Sequence, residues 1–516
     1  MKKVDFGLFQ NHLMEEHDSC GIVAIIEKDG KPSRDNIGKI IDALIKMEHR
    51  SGFIDGEGDG CGILTDIPRD LWSKKLAAAS KSAHLALSPT FTVSHIFVPT
   101  KGHSAEDVMN DIRQMFADSH LIIELEQARA VNSEVLGKNG RADEPIFWQL
   151  ACDYKGSTKT ENALFELLIA IEKKHNVHVA SLSNHSASYK VMGAANILPE
   201  YFQDIQQPEF ASSVTVGHNR YSTNTLSNFF RVQPFTILGH NGEINTIRKL
   251  EDEGQMLGVD LVDGGSDSQN MNRNIENMIH RYGLSLFEAM ENLFPPIINE
   301  MKNLRPELQD LYAYFRQTWG HFAQGPAGIV SRYANECVFG VDALGLRPVW
   351  MVESKTSLYF SSEQGVIPVY EMVREPKPLA PGEKIGVQLN PGHPVKVLSH
   401  HEMQELVYQL ASDRVDFKGF GKHLEFTQFE TAKVPYEDID EVTNQQYAAF
   451  GWEREHIQMA EQMASNGAEP IRSLGHDAPL AAINQERQNI ADYIKESVAV
   501  VTNPAIDRER EIEHFS

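Results

Sequence analysis

The stretch HDSCGIVAI (residues 17–25) sets a lone cysteine, Cys20, at the mouth of an apolar run, behind a polar leader that begins MKKVDFGLFQNHLMEE. The run GIVAII (21–26) reads as a buried strand and KDGKPS as a turn. Ile37, Ile40, Ile41, Leu44 and Ile45 then recur at helical spacing. A cysteine at a strand edge is more often a core residue than a nucleophile. Its position changes that reading. With the first 19 residues removed, Cys20 would carry the free α-amino group, whose reference pKa of about 7.7–8.0 suits a general base at neutral pH. Thiol and base would belong to one residue, with Gly21 leaving room beside the sulfur.

Working outward, GCGILTDI (60–67) returns as a strand. Helical spacing follows at 105–116, strands at 121–133 and 146–152, and a helix near 160–174. Strand signals at 177–183, 188–193, 213–219 and 235–240 are separated by turn-length gaps, which suits antiparallel pairing. Two helices near 268–282 and 285–294 precede a second group of strands between 327 and 399. Two strand groups bracketing helices predict a layered α+β domain. Beyond about residue 400, helical patterns (402–412, 437–449, 453–465, 482–498) alternate with irregular connectors. The expected organisation is a leader at 1–19, a main domain at 20–400 and a mostly helical extension at 401–516.

The 516 residues include 48 Lys and Arg against 72 Asp and Glu, a net charge of −24, and no basic stripe tracks phosphates. Nucleic acid is therefore not an expected partner. The four cysteines, at 20, 61, 152 and 337, show no metal-ligand spacing. They read as reduced thiols of a cytoplasmic protein. The leader lacks an apolar core and no run approaches the length of a membrane span, so neither secretion nor membrane insertion is expected.

Three further segments carry chemistry. In FTILGHNGEINTIRKL (235–250) a strand leads into His240-Asn241-Gly242 and then a helix-like segment; the Asn241 amide and the Gly242 N–H suit an oxyanion hole, although a simple turn is the commoner fate of Asn-Gly. VGHNRYSTNT (216–225) places Arg220 just past a strand with hydroxyls beside it, a combination suited to an α-carboxylate. GGSDSQNMNR (264–273) puts Asp267 at a helix start, where Ser266 or Asp267 would equally serve as a cap. Together an Arg, an Asp, a thiol and an oxyanion hole describe a pocket for a free amino acid with a scissile side-chain amide. The glycines of HRSGFIDGEGDGCG (49–62) carry carboxylates among them and a strand after them, which argues against a phosphate cradle.

Cys20-Gly21, MEHR with GDGCGIL, GHNRYSTNT, HNGEINT and GGSDS, in this order, resemble the glutaminase domain of glutamate synthase, a class II glutamine amidotransferase of the N-terminal-nucleophile hydrolases. DALGLRPV, SSEQGV and LAPGEKI (342–385) resemble its later sheet, and EPIRSLGHDAPLAAI with VTNPAIDRERE the opening of the synthase's central region. This resemblance implies a four-layer αββα sandwich and a removable propeptide. It implies Cys20 as the nucleophile that takes the L-glutamine side-chain amide, and Asn241 and Gly242 as the oxyanion hole. Arg220 and Thr223 would hold the substrate carboxylate, Asp267 its ammonium, and Arg50 would support the nucleophile. The chain departs from the family pattern at Ser51 and at Ala343-Leu344. No cofactor is expected on this chain; FMN and an iron–sulfur cluster belong to a glutamate synthase-like partner that would receive the ammonia. A glutamine sensor with a retained leader, or an amidotransferase serving another acceptor, are the alternative readings.

Overall fold

The computed structural model describes residues 20–54, 56–101, 104–221, 227–244, 246–390, 393–424, 444–449, 451–452 and 454–467. The leader, Thr223 and the helical pattern at 482–498 lie outside them.

The strand Gly21–Glu27 is buried along its whole length, and its alternation divides two cores. Val23 and Ile25 pack on one side with Ile37, Ile40 and Leu44 of the helix Arg34–Lys46. Ser33 caps that helix by accepting the Asn36 N–H, with Asp35 in the first turn and Lys46 in the last, as the helix dipole favours. Ile22, Ala24 and Ile26 point the other way, into a core shared with Val330, Phe339, Val341, Ile385 and Val387. The strand itself belongs to a seven-stranded sheet in the order Lys377–Pro378, Trp350–Glu353, Ser357–Ser361, Gly21–Glu27, Val214–Asn219, Cys61–Asp66 and Ser186–Val191. Val330, Phe339, Val341, Ile385 and Val387 belong to a five-stranded sheet in the order Leu238–Gly242, Ala327–Tyr333, Glu336–Val341, Lys384–Gln388 and Lys396–Leu398. Neighbouring strands in both sheets are antiparallel.

On its outer face the five-stranded sheet presents Ile329 and Val338 to the helices Asp267–His280, Leu286–Leu293, Pro306–Thr318 and His400–Ser412. The layers therefore run helix, sheet, sheet, helix, as the expected αββα sandwich does. A four-stranded antiparallel sheet, in the order Leu121–Ala128, Ile146–Tyr154, Phe91–Val98 and His178–Ser183, adds its own core with the helices Ala105–Asp118 and Thr160–Lys174. Its central strand Phe91–Val98 has no counterpart in the sequence reading.

The helix His400–Ser412 buries Met403, Val407 and Ala411 in the main unit, which continues to Leu424, past the boundary expected at residue 400. In a second compact unit, Glu425–Thr502, the described elements are the helices Asn444–Ala449 and Arg454–Asn466. No described helix is long and apolar enough to cross a membrane.

Two polar links join the central sheets at opposite ends. At one, Arg332 on the five-stranded sheet pairs with Asp66 on the seven-stranded sheet and donates to the Val214 carbonyl at 2.6 Å. Burial raises the Asp66 carboxyl's pKa, but Arg332 and the Ser213 hydrogen bonds outweigh it and hold the value below the usual carboxylate range. At the other end His218 Nε2 donates to the His240 carbonyl at 3.0 Å. Between them Phe339 and Phe360 stack, centroids 3.8 Å apart.

His95, His218 and His321 are enclosed almost completely, and burial pushes their pKa values down to about 4, 3 and 4. In the unfolded chain an imidazole titrates near pH 6.5. The unfolded state therefore binds more protons below that pH, so stability is full above it and lost as pH falls. Each group costs roughly 2 kcal/mol by pH 5. Glu276 and Glu336, raised by burial, make the decline shallower. We expect the urea midpoint to drop markedly between pH 7.5 and 5. A constant midpoint would mean that these imidazoles protonate in the folded protein.

Candidate active site

Cys20 lies one residue before its strand, where the pairing of Gly21 with Asn219 fixes the backbone. The chain beyond Asn219 turns across it, so that the Tyr221 N–H donates to Cys20 Sγ at 3.3 Å and the sulfur approaches the Tyr221 carbonyl at 3.5 Å. Burial pushes the thiol's pKa up, and Asp59 adds to this; the Tyr221 hydrogen bond and the guanidinium groups of Arg220 and Arg347 pull it down, and burial wins. A side chain at Gly21 would come within 3.2 Å of Arg50 Cβ, so the missing Cβ does leave space at this point.

Asn241 and Gly242 are not a turn. They are the last two residues of the strand Leu238–Gly242, paired with Gly328 and Ala327. Gly242 holds φ at 117°, and a Cβ there would come within 1.9 Å of the Pro326 carbonyl oxygen, so only glycine fits. Asn241 is 1% exposed, yet neither its side-chain nitrogen nor its oxygen has a hydrogen-bond partner among the described residues. Leaving a buried amide unpaired costs about 1–3 kcal/mol, and here it leaves a donor and an acceptor open to a bound ligand. The strands of Cys20 and Asn241 face each other across the two sheets.

Arg220, 6% exposed, is fixed from both ends. Its Nη1 donates to Ser227 Oγ at 2.9 Å, its N–H to the Gly60 carbonyl, and its own carbonyl accepts the Gly52 N–H. Asp267 opens the helix Asp267–His280, and Ser266 is the cap, in a reciprocal pair with Gln269. The Asp267 carboxylate accepts from Ser268 N–H at 2.7 Å and acts electrostatically on His240, beside Asn241. His240 Nδ1 lies 3.2 Å from Ser268 Oγ, tying that helix start to the strand end. Arg50 Nε donates to Glu363 at 2.7 Å, just past the strand Ser357–Ser361.

The structure thus brings Cys20, Arg50, Arg220, Asn241, Gly242 and Asp267 to the same end of the two sheets; Thr223 is outside the described residues. Three charged neighbours escaped the sequence reading. Asp59 lies in the glycine-rich stretch set aside as no phosphate cradle, Glu363 in a segment quoted only for resemblance, and Arg347 in another. Among the described residues no group of three or more His, Cys, Asp or Glu side chains is arranged to hold a metal ion.

Residues 20–412 match the family of class-II glutamine amidotransferases. The chain belongs to that family. Residues 445–516 match the glutamate synthase central domain. Ferredoxin-dependent glutamate synthase 2 of Synechocystis is 30% identical over 98% of this chain and 34% of its own length. Ferredoxin-dependent glutamate synthase 1 of Arabidopsis thaliana is 31% identical over 97% and 32%, and the glutamate synthase [NADPH] large chain of Azospirillum brasilense 27% identical over 96% and 34%. The chain spans about a third of the length of these curated relatives. It is a glutamine amidotransferase of the glutamate synthase type, with the four-layer sandwich that the resemblance implies.

In this amidotransferase Gly242→Ala should lose more than about 3 kcal/mol of stability, since it adds a backbone clash to an unfavourable φ. Asn241→Ala, which removes an unpaired buried amide, should stay within about 1 kcal/mol of the parent. Urea unfolding of both variants checks the contrast; an Asn241→Ala loss as large as that of Gly242→Ala would show that the amide is structurally bonded.

Proposed function

We propose that the chain hydrolyses L-glutamine to glutamate and ammonia through Cys20 and delivers the ammonia to a glutamate synthase-like, FMN-containing partner. The observation that carries this is the pairing of a thiol held by the Tyr221 N–H with a buried, unpartnered Asn241 amide on the facing sheet. Cys20 Sγ attacks the side-chain carbonyl carbon of glutamine and its proton passes to the cysteine's own α-amino group, free once residues 1–19 are removed. Asn241 and the Gly242 N–H donate to the oxyanion. The C–N bond breaks as the leaving nitrogen takes that proton, and ammonia departs from a thioester. Water then hydrolyses the thioester, releasing glutamate and restoring the thiol.

Arg220 and Thr223 bind the substrate carboxylate on this reading, Asp267 its ammonium, and Arg50 supports the nucleophile. The family match that begins at Cys20 supports the removal of the leader. The match of residues 445–516 to the glutamate synthase central domain supports the synthase-like destination of the ammonia. Four free thiols suit a reducing, cytoplasmic setting.

The intact mass and a glutaminase assay on one sample test the reading. A chain starting at Cys20 that releases ammonia from glutamine is the expected result. An inert chain that retains Met1 to Ser19 would favour a sensor. Co-purification with an FMN-containing partner that gains activity from glutamine tests the destination, and a chain that never associates with one overturns it. Cys20→Ala should abolish turnover with the fold intact. Asn241→Ala should cost ~10²–10³ in kcat. Asp267→Ala should chiefly raise KM, by about 1.5–3 kcal/mol of lost charge-assisted bonding; an unchanged KM would remove Asp267 from the ammonium site.

A further inference from the structure

Between the strands Glu336–Val341 and Trp350–Glu353 the chain makes a turn that is built around one carboxylate. Asp342 Oδ1 accepts from the Leu344 N–H at 3.0 Å, and its Oδ2 accepts from the N–H groups of Leu346, Arg347 and Ala327 at 2.8, 3.3 and 3.2 Å. The Asp342 carbonyl accepts from Gly345 and Gly382, and its N–H donates to the Ala327 carbonyl. Ala327 is the residue paired with Gly242. The turn is therefore bolted to the oxyanion-hole strand through its immediate neighbour in the sheet.

What this fastening delivers is Arg347. A Cβ on Gly242 would lie 3.1 Å from Arg347 Cγ, so the arginine stem runs beside the Gly242 backbone. The next residues follow the same path: a Cβ on Gly328 would lie 3.2 Å from Val349 Cγ2, 3.5 Å from the Pro348 carbonyl and 3.4 Å from Ile22 Cδ1, two residues past Cys20. Arg347 Nε is buried without a hydrogen-bond partner among the described residues. Its stem thus runs beside Gly242 with the Nε donor unused, and the residues that follow it reach the seam where Ile22 lies. Arg347 acts electrostatically on two groups of the site, Cys20 and His240.

We propose that Arg347 is the electrostatic partner of the anion formed at Cys20: its guanidinium stabilises the thiolate, and then the tetrahedral oxyanion beside Gly242, while Arg220 is engaged with the substrate carboxylate. This rests on Cys20 being the nucleophile. The charges acting on the thiol are Arg220 and Arg347 on one side and Asp59 on the other. When Arg220 is neutralised by a bound carboxylate, Arg347 is the other arginine that offsets Asp59. Arginine suits the role because it holds its charge even when desolvated.

The rate of Cys20 alkylation by iodoacetamide, followed by peptide mass against pH, measures thiolate population directly. Cys61, Cys152 and Cys337 are enclosed, and burial pushes their thiols up, so they do not compete. Arg347→Met should move the Cys20 profile up by about one pH unit, making alkylation about tenfold slower at pH 7. It should lower kcat for glutamine by a similar factor with little change in KM. Arg347→Lys, which keeps the charge, should recover most of both. A Met profile that overlays the parent's, with or without a fall in kcat, overturns the proposal. So does a folded Lys variant as impaired as Met. If the parent alkylates at Cys20 but does not hydrolyse glutamine, the functional reading fails, and the profile still reports what Arg347 does to the thiol.

Discussion

For a thiol on one sheet to meet an amide on another, the two sheets must be held at a fixed offset. The hydrogen bond from His218 Nε2 to the His240 carbonyl sets that offset at the reactive end. Its donor is two residues from Arg220, on the strand paired with Gly21, and its acceptor precedes Asn241. Aromatic stacking and aliphatic packing alone would leave the sheets free to slide at modest cost, since dispersion is not directional. A buried bond to a backbone carbonyl is directional, and breaking it strands two polar groups in a dry core. Arg332 and Asp66 do the same work at the far end, so neither end of the sandwich is free to shift.

That rigidity lets the site hold polar groups unsatisfied. Among the described residues Asn241, 1% exposed, has no partner for either side-chain polar atom, and half-buried Arg347 has none for its buried Nε. An unpaired buried donor normally relaxes by rotating toward a partner or by letting water in. Here the ladder with Gly328 on one side and the Asp342 turn on the other remove that freedom. The cost, about 1–3 kcal/mol per group, is recovered only when a ligand supplies the missing acceptor. On the proposed reading this is the logic of a preorganised oxyanion site, in which donors are in place before charge develops.

Much of the architecture was legible because its elements obey simple periods. GIVAIIE alternates between two apolar cores, and the Arg34–Lys46 helix repeats its isoleucines at three and four residues. The strand Phe91–Val98 was not legible because Thr92, Ser94 and His95 interrupt it. All three are buried, and His95 is satisfied by the Ser188 carbonyl and Gln149, partners 93 and 54 residues away. No local pattern announces such a bond. The same holds for Asn241-Gly242, where local propensity favours a turn and pairing with Gly328 and Ala327 imposes a strand end. Arg347 is a further case. Nothing within a few residues of it marks it, and only the turn around Asp342, closed by a bond to Ala327, carries it to Gly242.

On the proposed reading, with Cys20 as the nucleophile, the balance at its thiol explains why the residue should depend on its own position in the chain. Burial raises the thiol's pKa by more than two guanidinium groups and one backbone N–H lower it, with Asp59 working on the side of burial. A resting thiol so placed is protonated at neutral pH, and an enzyme using it needs a base within reach of the sulfur. His218 and His240, imidazoles of two of the sequence motifs, are committed to holding the sheets and the Asp267 helix start, and burial lowers the pKa of both. An α-amino group on Cys20 itself, titrating near 7.7–8.0, needs no further side chain and no further burial. On the proposed reading, removing the leader supplies a base that belongs to the nucleophile itself.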